Sequence, residues 1–430
     1  MRIVHVSAEC YPAAKAGGLG DVVGSLPKFQ KDAAVIIPKY HTKWILAQEY
    51  ESVQQGVVRI HHGQVHYDIQ RLTSTDLGFE FLVIDIPTKF DRPGIYADSN
   101  GNNFGDELER SICFQQAALH YLGSLDEKPE VIHCHDHHTG LIPLLVEYGT
   151  DFRSLKGTPT VFTIHNGVYH GAFSWEKYYL LPYLESGAKG LLDWNNTINP
   201  LACAIKCAWK VTTVSQSYME ELRTQSNGLE YLLRSEWRKT IGILNGIDAK
   251  TWDPKKDPLI KHNLKKSVAR YKSQNKKELV TQFGLRKDLP LITFIGRLVR
   301  EKGADLLPEL INYFLAQGKE ASFIILGTGD QNLQGRLASM AYHFSPYLNV
   351  ALEYNESLAH QLYAGSDFIF MPSRVEPCGL NQMFAMRYGT VPIVRKIGGL
   401  KDTVPDIGEE NGRGINFTHF NVEDAGLALF

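Results

Sequence analysis

Short apolar runs recur along the first half of the chain and are separated by polar segments. Runs rich in β-branched residues predict strands at Ile3–Ser7, Ala33–Pro38, Phe81–Ile86, Glu130–Cys134, Thr158–His165, Lys210–Ser215 and Thr240–Leu244. Between the third and fourth runs, Glu107–Leu122 has the period of an amphipathic helix. Buried strands that alternate with helices are typical of a parallel sheet covered by helices.

A second series of the same kind occupies the last third of the chain. It predicts strands at Leu291–Ile295, Ala321–Gly327, Asp367–Met371 and Val391–Arg395, with helices at Gly303–Gln317 and Asn381–Tyr388. The pattern weakens across Asp253–Lys287, where prolines, lysines and other polar residues dominate. We therefore predict two doubly wound, Rossmann-like α/β domains, residues 1–245 and 246–430, with the boundary near Asn245 to Asp253. Ligands bind beyond the carboxyl ends of such strands, so we expect the chemistry in a cleft between facing domains.

Composition narrows the classes of function. A length of 430 residues suits two domains, and a formal charge of −2 argues against general affinity for nucleic acid, so any anion site must be local. Six scattered cysteines form no CxxC pair and no disulfide framework, which favours a reducing cytoplasm. The N-terminus has no targeting pattern and no run of 18 apolar residues follows, so we expect a soluble protein without a membrane partner.

The stretch after the first predicted strand reads KAGGLGD. Lys15, Gly17, Gly18 and Gly20 would lie at a strand-to-helix turn, where backbone amides and the lysine suit a phosphate oxygen. A dinucleotide fingerprint is disfavoured because it needs glycine at Val23, and a P-loop lacks its GK[ST]. The competing interpretation is a glycine turn that only allows a helix and a strand to approach closely.

A cluster of histidines follows the fourth predicted strand and reads IHCHDHHTGL. Alternation places His133 and His135 on one face, which is the spacing of a metal pair. We predict no metal, because no further histidine or aspartate ligands can be assembled at later strand ends. Buried histidines with satisfied hydrogen bonds are the structural alternative, also for His165 after the next strand.

Two constellations mark the second half. Arg297 follows a strand and Lys302 precedes the next helix, an arrangement that suits a diphosphate. Glu376 follows a strand ahead of a helix, where its carboxylate could hold sugar hydroxyls while helix amides bind phosphate. An ordinary solvated helix start and a capping glutamate are the respective alternatives.

Taken together, these residues resemble the family of bacterial glycogen synthases and plant starch synthases. The resemblance rests on motifs in family order, which read KAGGLGD, HCHDHHTGL, FTIHNGVYHG, ILNGID, GRLVREKG, LGTGD, SRVEPCGLNQMFAMRYGT and GGLKDTV. It implies the GT-B fold and retaining transfer of glucose from ADP-glucose to the non-reducing end of an α-1,4-glucan such as glycogen, without a cofactor. It carries no signal for oligomeric state.

The resemblance also implies roles for individual residues. The implied catalytic residues are Glu376, Arg297, Lys302, His165 and Asp136, with the cations at the leaving diphosphate, Glu376 at the glucose hydroxyls and the His165 carbonyl near the anomeric carbon. The implied donor-binding residues are Lys15, Gly17, Gly18, Asn245, Gly327, Tyr354, Cys378, Gly379 and Leu380, with Tyr354 a candidate for stacking on adenine. Glu9 is implied near the acceptor.

Retention through a covalent intermediate would need a carboxylate nucleophile below the ring, and no motif residue clearly fills that role. We therefore expect front-face displacement, in which the acceptor hydroxyl attacks on the leaving-group side and the phosphate takes its proton. Two departures from the family pattern concern other regions. Few residues separate Pro27 from Ala33, so we expect a short first helix or a missing mobile loop. The chain ends at Phe430, where the family continues into a helical region, so we expect effects on interdomain closure and stability.

Three other functions are compatible with parts of the pattern. The first is another GT-B transferase that uses UDP-glucose and a small acceptor, which a comparison of the two donors would distinguish. The second is a non-catalytic glucan-binding relative, which should have lost one of Lys15, Arg297, Lys302 or Glu376; all four are present. The third is a metal-dependent hydrolase built on the histidines, which a chelator would inactivate.

Overall fold

The computed structural model describes residues 2–60, 63–74, 76–98 and 101–429. These form two compact units, Met1–Val214 with Met219–Ile243, and Ser215–Tyr218 with Leu244–Phe430. The single division into 1–245 and 246–430 stays a prediction, and its end residues Met1 and Phe430 lie outside the described residues. A single boundary cannot describe the short segment Ser215–Tyr218, which interrupts the first unit in sequence and belongs to the second.

The first unit is built on a nine-stranded sheet in the order β11-β10-β7-β6-β1-β2-β5-β4-β3. Its strands are β1 Ile3–Val6, β2 Ala33–Pro38, β3 Tyr50–Ile60, β4 Gly63–Leu72, β5 Glu80–Asp85, β6 Val131–His135, β7 Thr160–Ile164, β10 Lys210–Thr213 and β11 Thr240–Gly242; β8 Asp193–Trp194 and β9 Thr197–Ile198 form a separate pair. All seven strands predicted for this half are present, within two residues at each end, and they pair in parallel.

The hairpin of β3 and β4 is an addition that the strand pattern did not predict. It pairs antiparallel within itself and with β5 at one end of the sheet. Most of its positions are only half-buried or exposed, so its sequence lacks the continuous apolar runs by which the central strands were found.

The helices of the first unit are short except for the third. They are α1 Gly18–Ser25, α2 Lys43–Leu46, α3 Glu107–Ser124, α4 Ile142–Tyr148, α5 Pro200–Cys207, α6 Gln216–Thr224, which crosses the division, and α7 Glu230–Ser235. Single 3-10 turns lie at Leu26–Phe29, His137–Thr139, Thr150–Leu155, Trp175–Leu180 and Ala188–Leu192. The prediction of a short first helix is confirmed, because α1 passes at Leu26 into a 3-10 turn that has Pro27 in its first turn.

The second unit contains a six-stranded parallel sheet in the order β14-β13-β12-β15-β16-β17. Its strands are β12 Leu291–Ile295, β13 Ser322–Leu326, β14 Leu348–Ala351, β15 Phe368–Met371, β16 Val391–Arg395 and β17 Ile415–Phe417. Its helices are α8 Val268–Gln282, α9 Leu307–Ala316, α10 Gln331–His343, α11 Glu356–Gly365, α12 Asn381–Arg387, α13 Gly398–Thr403 and α14 Val422–Leu429, with 3-10 turns at Arg300–Lys302 and Ala304–Leu306.

Two predicted features of this unit need correction. The helix predicted from Gly303 begins only at Leu307, because Gly303 has a left-handed φ of 67° and divides two 3-10 turns. The weak segment Asp253–Lys287 contains the 15-residue helix α8. Only Tyr271, Asn275, Leu279 and Val280 of α8 are buried, so its sequence shows a polar helix with a narrow apolar stripe.

The centre of each sheet is made of fully buried apolar side chains. Examples are Val4, Ile36 and Leu82 in the first unit and Leu291, Ile369 and Val394 in the second. None of the helices in the described part of the chain is long and apolar enough to cross a membrane.

Candidate active site

Three neighbouring strands of the first unit carry the predicted site residues at their carboxyl ends. Strands β1, β6 and β7 lie side by side in parallel. Glu9 follows β1, Asp136 follows β6 directly, and His165 follows β7 directly. Parallel strands end at the same edge of a sheet, so the fold brings these three residues to one edge.

Glu9 anchors the glycine turn. One carboxylate oxygen accepts hydrogen bonds from the amides of Ala16 (2.6 Å) and Gly17 (3.0 Å), and the other accepts one from the Tyr96 hydroxyl (2.6 Å). Burial raises the pKa of Glu9, although these three donors act against the shift. Its contact with an acceptor stays a prediction. Tyr96 was missed from the sequence, because no local pattern links residues 87 positions apart.

The glycine turn presents the start of α1. Gly17 is the N-cap and Gly18 the first helical residue, and a side chain at Gly17 would meet no atom within 4 Å. Lys15 donates a hydrogen bond to Asp21 at 2.7 Å, so its charge is paired within the first unit. The Gly17 amide already donates to Glu9, so an anion at this exposed helix start would meet the amides from Gly18 onward. The predicted contact of Lys15 with phosphate stays a prediction.

Asp136 holds the backbone that follows β7. Its φ of 55° and ψ of 178° lie outside the left-handed helical basin, in a region almost confined to glycine, so the backbone is strained here. Its Oδ1 accepts hydrogen bonds from the amides of His165 (2.7 Å) and Asn166 (3.3 Å). Burial raises the pKa of Asp136 to about 7; the two amides lower it and the nearby Glu9 raises it further. The carboxylate thereby fixes the position of the His165 main chain.

The histidines at this edge form a hydrogen-bonded chain. Nε2 of His5 lies 2.7 Å from Oε1 of Gln30, Nδ1 of His5 lies 3.0 Å from Nε2 of His135, and Nδ1 of His135 lies 2.9 Å from Nε2 of His165. Burial lowers the pKa of His5 to about 4 and that of His165 to about 3, so these imidazoles are neutral.

The predicted shared face of β6 is confirmed by the rings of His133 and His135, which stack with centroids 4.3 Å apart. Together with His5 they offer nitrogens that all lie within 4.8 Å of one another, as a metal site would require. Both nitrogens of His5 and of His135 already have hydrogen-bond partners. The absence of a metal stays a prediction, which these bonds support.

The second unit collects its predicted residues in the same way. Strands β14, β13, β12 and β15 are neighbours in the sheet. Each of these strands is followed by one predicted residue, so all four residues lie beyond one sheet edge. In the order of the strands, they are Tyr354, Gly327, Arg297 and Glu376.

Lys302 and Glu376 form the central ion pair of this edge. Nζ of Lys302 donates to Oε1 of Glu376 at 2.6 Å, and the Ser373 hydroxyl donates to Oε2 at 2.8 Å. Glu376 is 5% exposed, whereas half of the Arg297 side chain is exposed, 3.8 Å from Glu301. The structure thus places a buried carboxylate next to a cation, with a second, more exposed cation nearby in the sequence.

The loop that carries Glu376 is held by the motif GGLKDTV. The amide of Gly399 donates to the Glu376 carbonyl at 3.0 Å, and a side chain at Gly399 would come within 2.3 Å of Cys378 backbone atoms. Burial raises the pKa of Cys378 to about 12, while hydrogen bonds with Asn245 act against the shift. Cys378 and Asn245 are therefore neighbours, and their donor-binding role stays a prediction.

The remaining donor-side residues differ in exposure. A side chain at Gly327 would lie 1.8 Å from the Gly296 carbonyl, so only glycine allows the ends of β13 and β12 to approach this closely. Gly379 has a left-handed φ of 73°, and Leu380 is the buried N-cap of α12. Tyr354 is 73% exposed.

Comparisons with known proteins agree with this picture. Residues 2–235 match the starch synthase catalytic domain, and residues 275–425 match the glycosyl transferases group 1. A glycogen synthase from Flavobacterium johnsoniae is 46% identical over 99% of this chain and 89% of its own length, and one from Streptococcus gordonii is 38% identical over 98% and 89%.

Solved structures extend the likeness to the fold. The catalytic domain of starch synthase IV from Arabidopsis thaliana, bound to ADP and acarbose, aligns with a TM-score of 0.89 and 31% identity, covering 100% of this chain and 90% of that one. A sucrose-phosphate synthase from Thermosynechococcus elongatus, 16% identical with a TM-score of 0.59, shares the fold. The chain belongs to the family of glycogen and starch synthases, which are glucosyltransferases with two α/β domains of the GT-B type.

Proposed function

We propose that this protein transfers glucose from ADP-glucose to the non-reducing end of an α-1,4-glucan and retains the anomeric configuration. The observation that carries the proposal is the Lys302–Glu376 pair with its supporting Ser373, held at a strand end by the motif GGLKDTV. The related Arabidopsis starch synthase was solved with ADP and acarbose, a nucleotide and a glucan-like saccharide.

The second unit supplies the groups for the donor. Breaking a glycosyl–phosphate bond puts negative charge on the departing diphosphate, so the fixed cations Lys302 and Arg297 lower the barrier. Glu376 accepts from Lys302 with one oxygen and from Ser373 with the other. Since each oxygen has further lone pairs, the carboxylate can also accept from glucose hydroxyls. Tyr354 is proposed to stack on the adenine ring.

The first unit supplies the groups for the sugar. Asp136 fixes the main chain of His165 through two amides. We assign the His165 carbonyl to the anomeric carbon, where positive charge develops in the transition state. The start of α1 at Gly17 and Gly18 is assigned to a donor phosphate.

The observed contacts favour front-face displacement. Both carboxylate oxygens of Glu9 and of Glu376 are already hydrogen-bonded, which disfavours either as a nucleophile. Among the predicted site carboxylates, Asp136 accepts its two hydrogen bonds through Oδ1, so it is the residue to test. A glucosyl ester trapped on Asp136, detected by peptide mass spectrometry after a rapid quench, would replace this mechanism with a covalent one.

Transfer of radiolabelled glucose to glycogen tests the proposed function. ADP-glucose and UDP-glucose are run in parallel, each with and without a chelator, and Glu376→Ala serves as the inactive control. We expect label in glycogen from ADP-glucose, at a rate that the chelator does not change. If only UDP-glucose gave label in glycogen, the result would support a GT-B transferase that uses UDP-glucose. Loss of activity with the chelator would support a metal-dependent enzyme.

We also propose a reducing cytoplasm as the location of the protein. All six cysteines are free thiols and five of them are buried, a use of cysteine that is ordinary where disulfides do not form. No cofactor is proposed, and ADP-glucose and the glucan are the proposed small-molecule and polymer partners.

A further inference from the structure

Three imidazoles cross the carboxyl edge of the first unit in a single chain. The chain starts at Gln30, passes through His5 on β1 and His135 on β6, and ends at His165 after β7. His5 is 0% exposed, His135 is 1% exposed and His165 is 8% exposed. The chain therefore runs from a half-buried amide through the interior to His165, the least buried of the three histidines.

A neutral imidazole has one N–H donor and one acceptor nitrogen, so each bond in the chain sets the direction of the next. Oε1 of Gln30 can only accept, which makes Nε2 of His5 the protonated nitrogen. Nδ1 of His5 must then accept from Nε2 of His135, and Nδ1 of His135 must accept from Nε2 of His165. At the end of the chain, Nδ1 of His165 is left as an acceptor.

We propose that Gln30, His5 and His135 are positioning residues that lock His165 in the Nε2–H tautomer, so that its Nδ1 accepts a hydrogen bond from a hydroxyl of the transferred glucose. The inference rests on the proposed function for the identity of the sugar. Without the chain, the two tautomers of an imidazole would be close in energy, and Nδ1 would be a donor part of the time.

Neutrality of the chain follows from its surroundings. Burial lowers the pKa of His5 and His165 to about 4 and about 3, and burial together with the neighbouring histidines lowers that of His135. Charging any member would give it two donors and break the direction of the chain. The lock thus operates through tautomers alone at neutral pH.

Gln30 is the place to test the lock, because it is half-buried and a polar replacement there keeps contact with solvent. Gln30→Glu offers acceptors only and should keep the direction of the chain while His5 is neutral, a state that the His5 nitrogen shifts report in the same spectra. Gln30→Lys offers donors only and should reverse it, so that Nδ1 of His165 becomes the donor. Gln30→Leu removes the constraint. Gln70→Leu, on β4 three strands from β1, is the matched control.

The first measurement is the tautomer of His165 by long-range proton–nitrogen NMR on protein labelled at histidine, with His165→Gln to assign the signals. We expect the Nε2–H form in the wild type, Gln30→Glu and Gln70→Leu, and the Nδ1–H form in Gln30→Lys. An Nδ1–H signal in the wild type, or a His165 tautomer that is the same in Gln30→Lys as in the wild type, would overturn the lock. This arm needs no substrate, so it stands even if the proposed function fails.

The second measurement uses ADP-glucose analogues in which fluorine replaces one hydroxyl at a time. Fluorine cannot donate, so the hydroxyl that contacts Nδ1 should show a penalty in kcat/KM of about fivefold to tenfold from the lost hydrogen bond. That penalty should shrink in Gln30→Lys and persist in Gln30→Glu, while the inductive effect of fluorine cancels in the comparison. Equal penalties in all variants would show that the tautomer does not govern sugar recognition.

Discussion

The two sheet edges use the same parallel architecture for opposite kinds of polar group. The edge of the first unit holds the buried Glu9 and His165 and the half-buried Asp136, and desolvation shifts the pKa of each towards its neutral form. The edge of the second unit presents cations, with Arg297 half-exposed and Lys302 paired with Glu376. Burial raises the free-energy cost of a charge, so buried groups are suited to hydrogen bonds with neutral hydroxyls. Exposed side chains stay solvated and keep their charge.

This contrast matches the two ends of a nucleotide sugar. The sugar is neutral until the transition state, and a dry edge with fixed hydrogen bonds can orient it. The diphosphate is charged throughout, and cations on accessible side chains can meet it without a large desolvation cost. The same fold can therefore serve both ends, since the strand ends supply positions and the local burial decides the chemistry.

The largest expected effect tests the carboxylate of the second unit. Glu376→Ala should reduce kcat/KM for glucose transfer by about a thousandfold, because it removes a preorganised acceptor and the partner of Lys302. Thermal unfolding should change little, as the residue lies at a strand end. Glu309→Ala, which removes an exposed carboxylate paired with Arg336, is the control. Near-normal transfer by Glu376→Ala would contradict the assignment.

Lys302→Ala tests the charge of the same edge. Loss of one cation at the leaving diphosphate should raise the barrier by about 2 to 4 kcal/mol, roughly 30- to 1000-fold in kcat. Lys396→Ala removes an exposed lysine that pairs with Glu409 and should leave kcat unchanged. If Lys302→Ala raised only KM, the lysine would bind donor and transition state equally, and its catalytic role would be lost.

Asp136→Asn tests the buried edge through pH. The pKa of Asp136 is raised from 3.8 to about 7, so the folded state holds the proton more tightly than the unfolded state. Ionisation therefore costs stability progressively between about pH 4 and pH 7. Asparagine has nearly the same shape as aspartate, and its Oδ1 can still accept from both amides, without the charge.

The variant should gain on the order of 2 to 4 kcal/mol relative to the wild type at pH 8 compared with pH 4. Urea unfolding at the two pH values measures this difference, and glucose transfer should fall in the same variant. An identical pH dependence in variant and wild type would show that Asp136 is not buried in its charged form.

The smallest effect is expected in the glycine turn, where Gly17→Ala tests donor binding and Gly20→Ala tests packing. Gly17→Ala places a methyl group in open space with φ already extended at −157°, so stability should stay within about 0.5 kcal/mol. The methyl group would cover the start of α1 and raise KM for the donor about fivefold. Gly20→Ala meets Glu9 and Lys15 at 3.2 Å and should lower stability instead. If Gly17→Ala and the wild type had the same KM for the donor, the assignment of a donor phosphate to this turn would be wrong.

Much of the fold could be predicted because its central strands are apolar on both faces. β2, β12 and β16 were predicted with the bounds they have in the structure. The hairpin β3–β4 and the helix α8 could not be predicted, since each buries only one narrow side. The predicted start of α9 was wrong because Gly303 has a left-handed φ. The helix therefore begins only at Leu307, although the apolar period extends further towards the N-terminus.

The identity of the candidate residues came from the motifs, and the contacts between them came from the fold. Local spacing indicated that Asp136, Arg297 and Glu376 follow strands. It could not indicate that Tyr96 binds Glu9, because 87 residues separate the two partners.

The sequence by itself determined the parallel architecture, the order of the motifs and the family, since apolar runs and motif letters are local properties of the chain. Only the tertiary structure decided which groups are paired and which are buried. The pKa of Asp136, the ion pair of Lys302 with Glu376 and the direction of the histidine chain all depend on neighbours from other strands. Desolvation and hydrogen bonding act through space, so they are fixed only when the strands have been brought together.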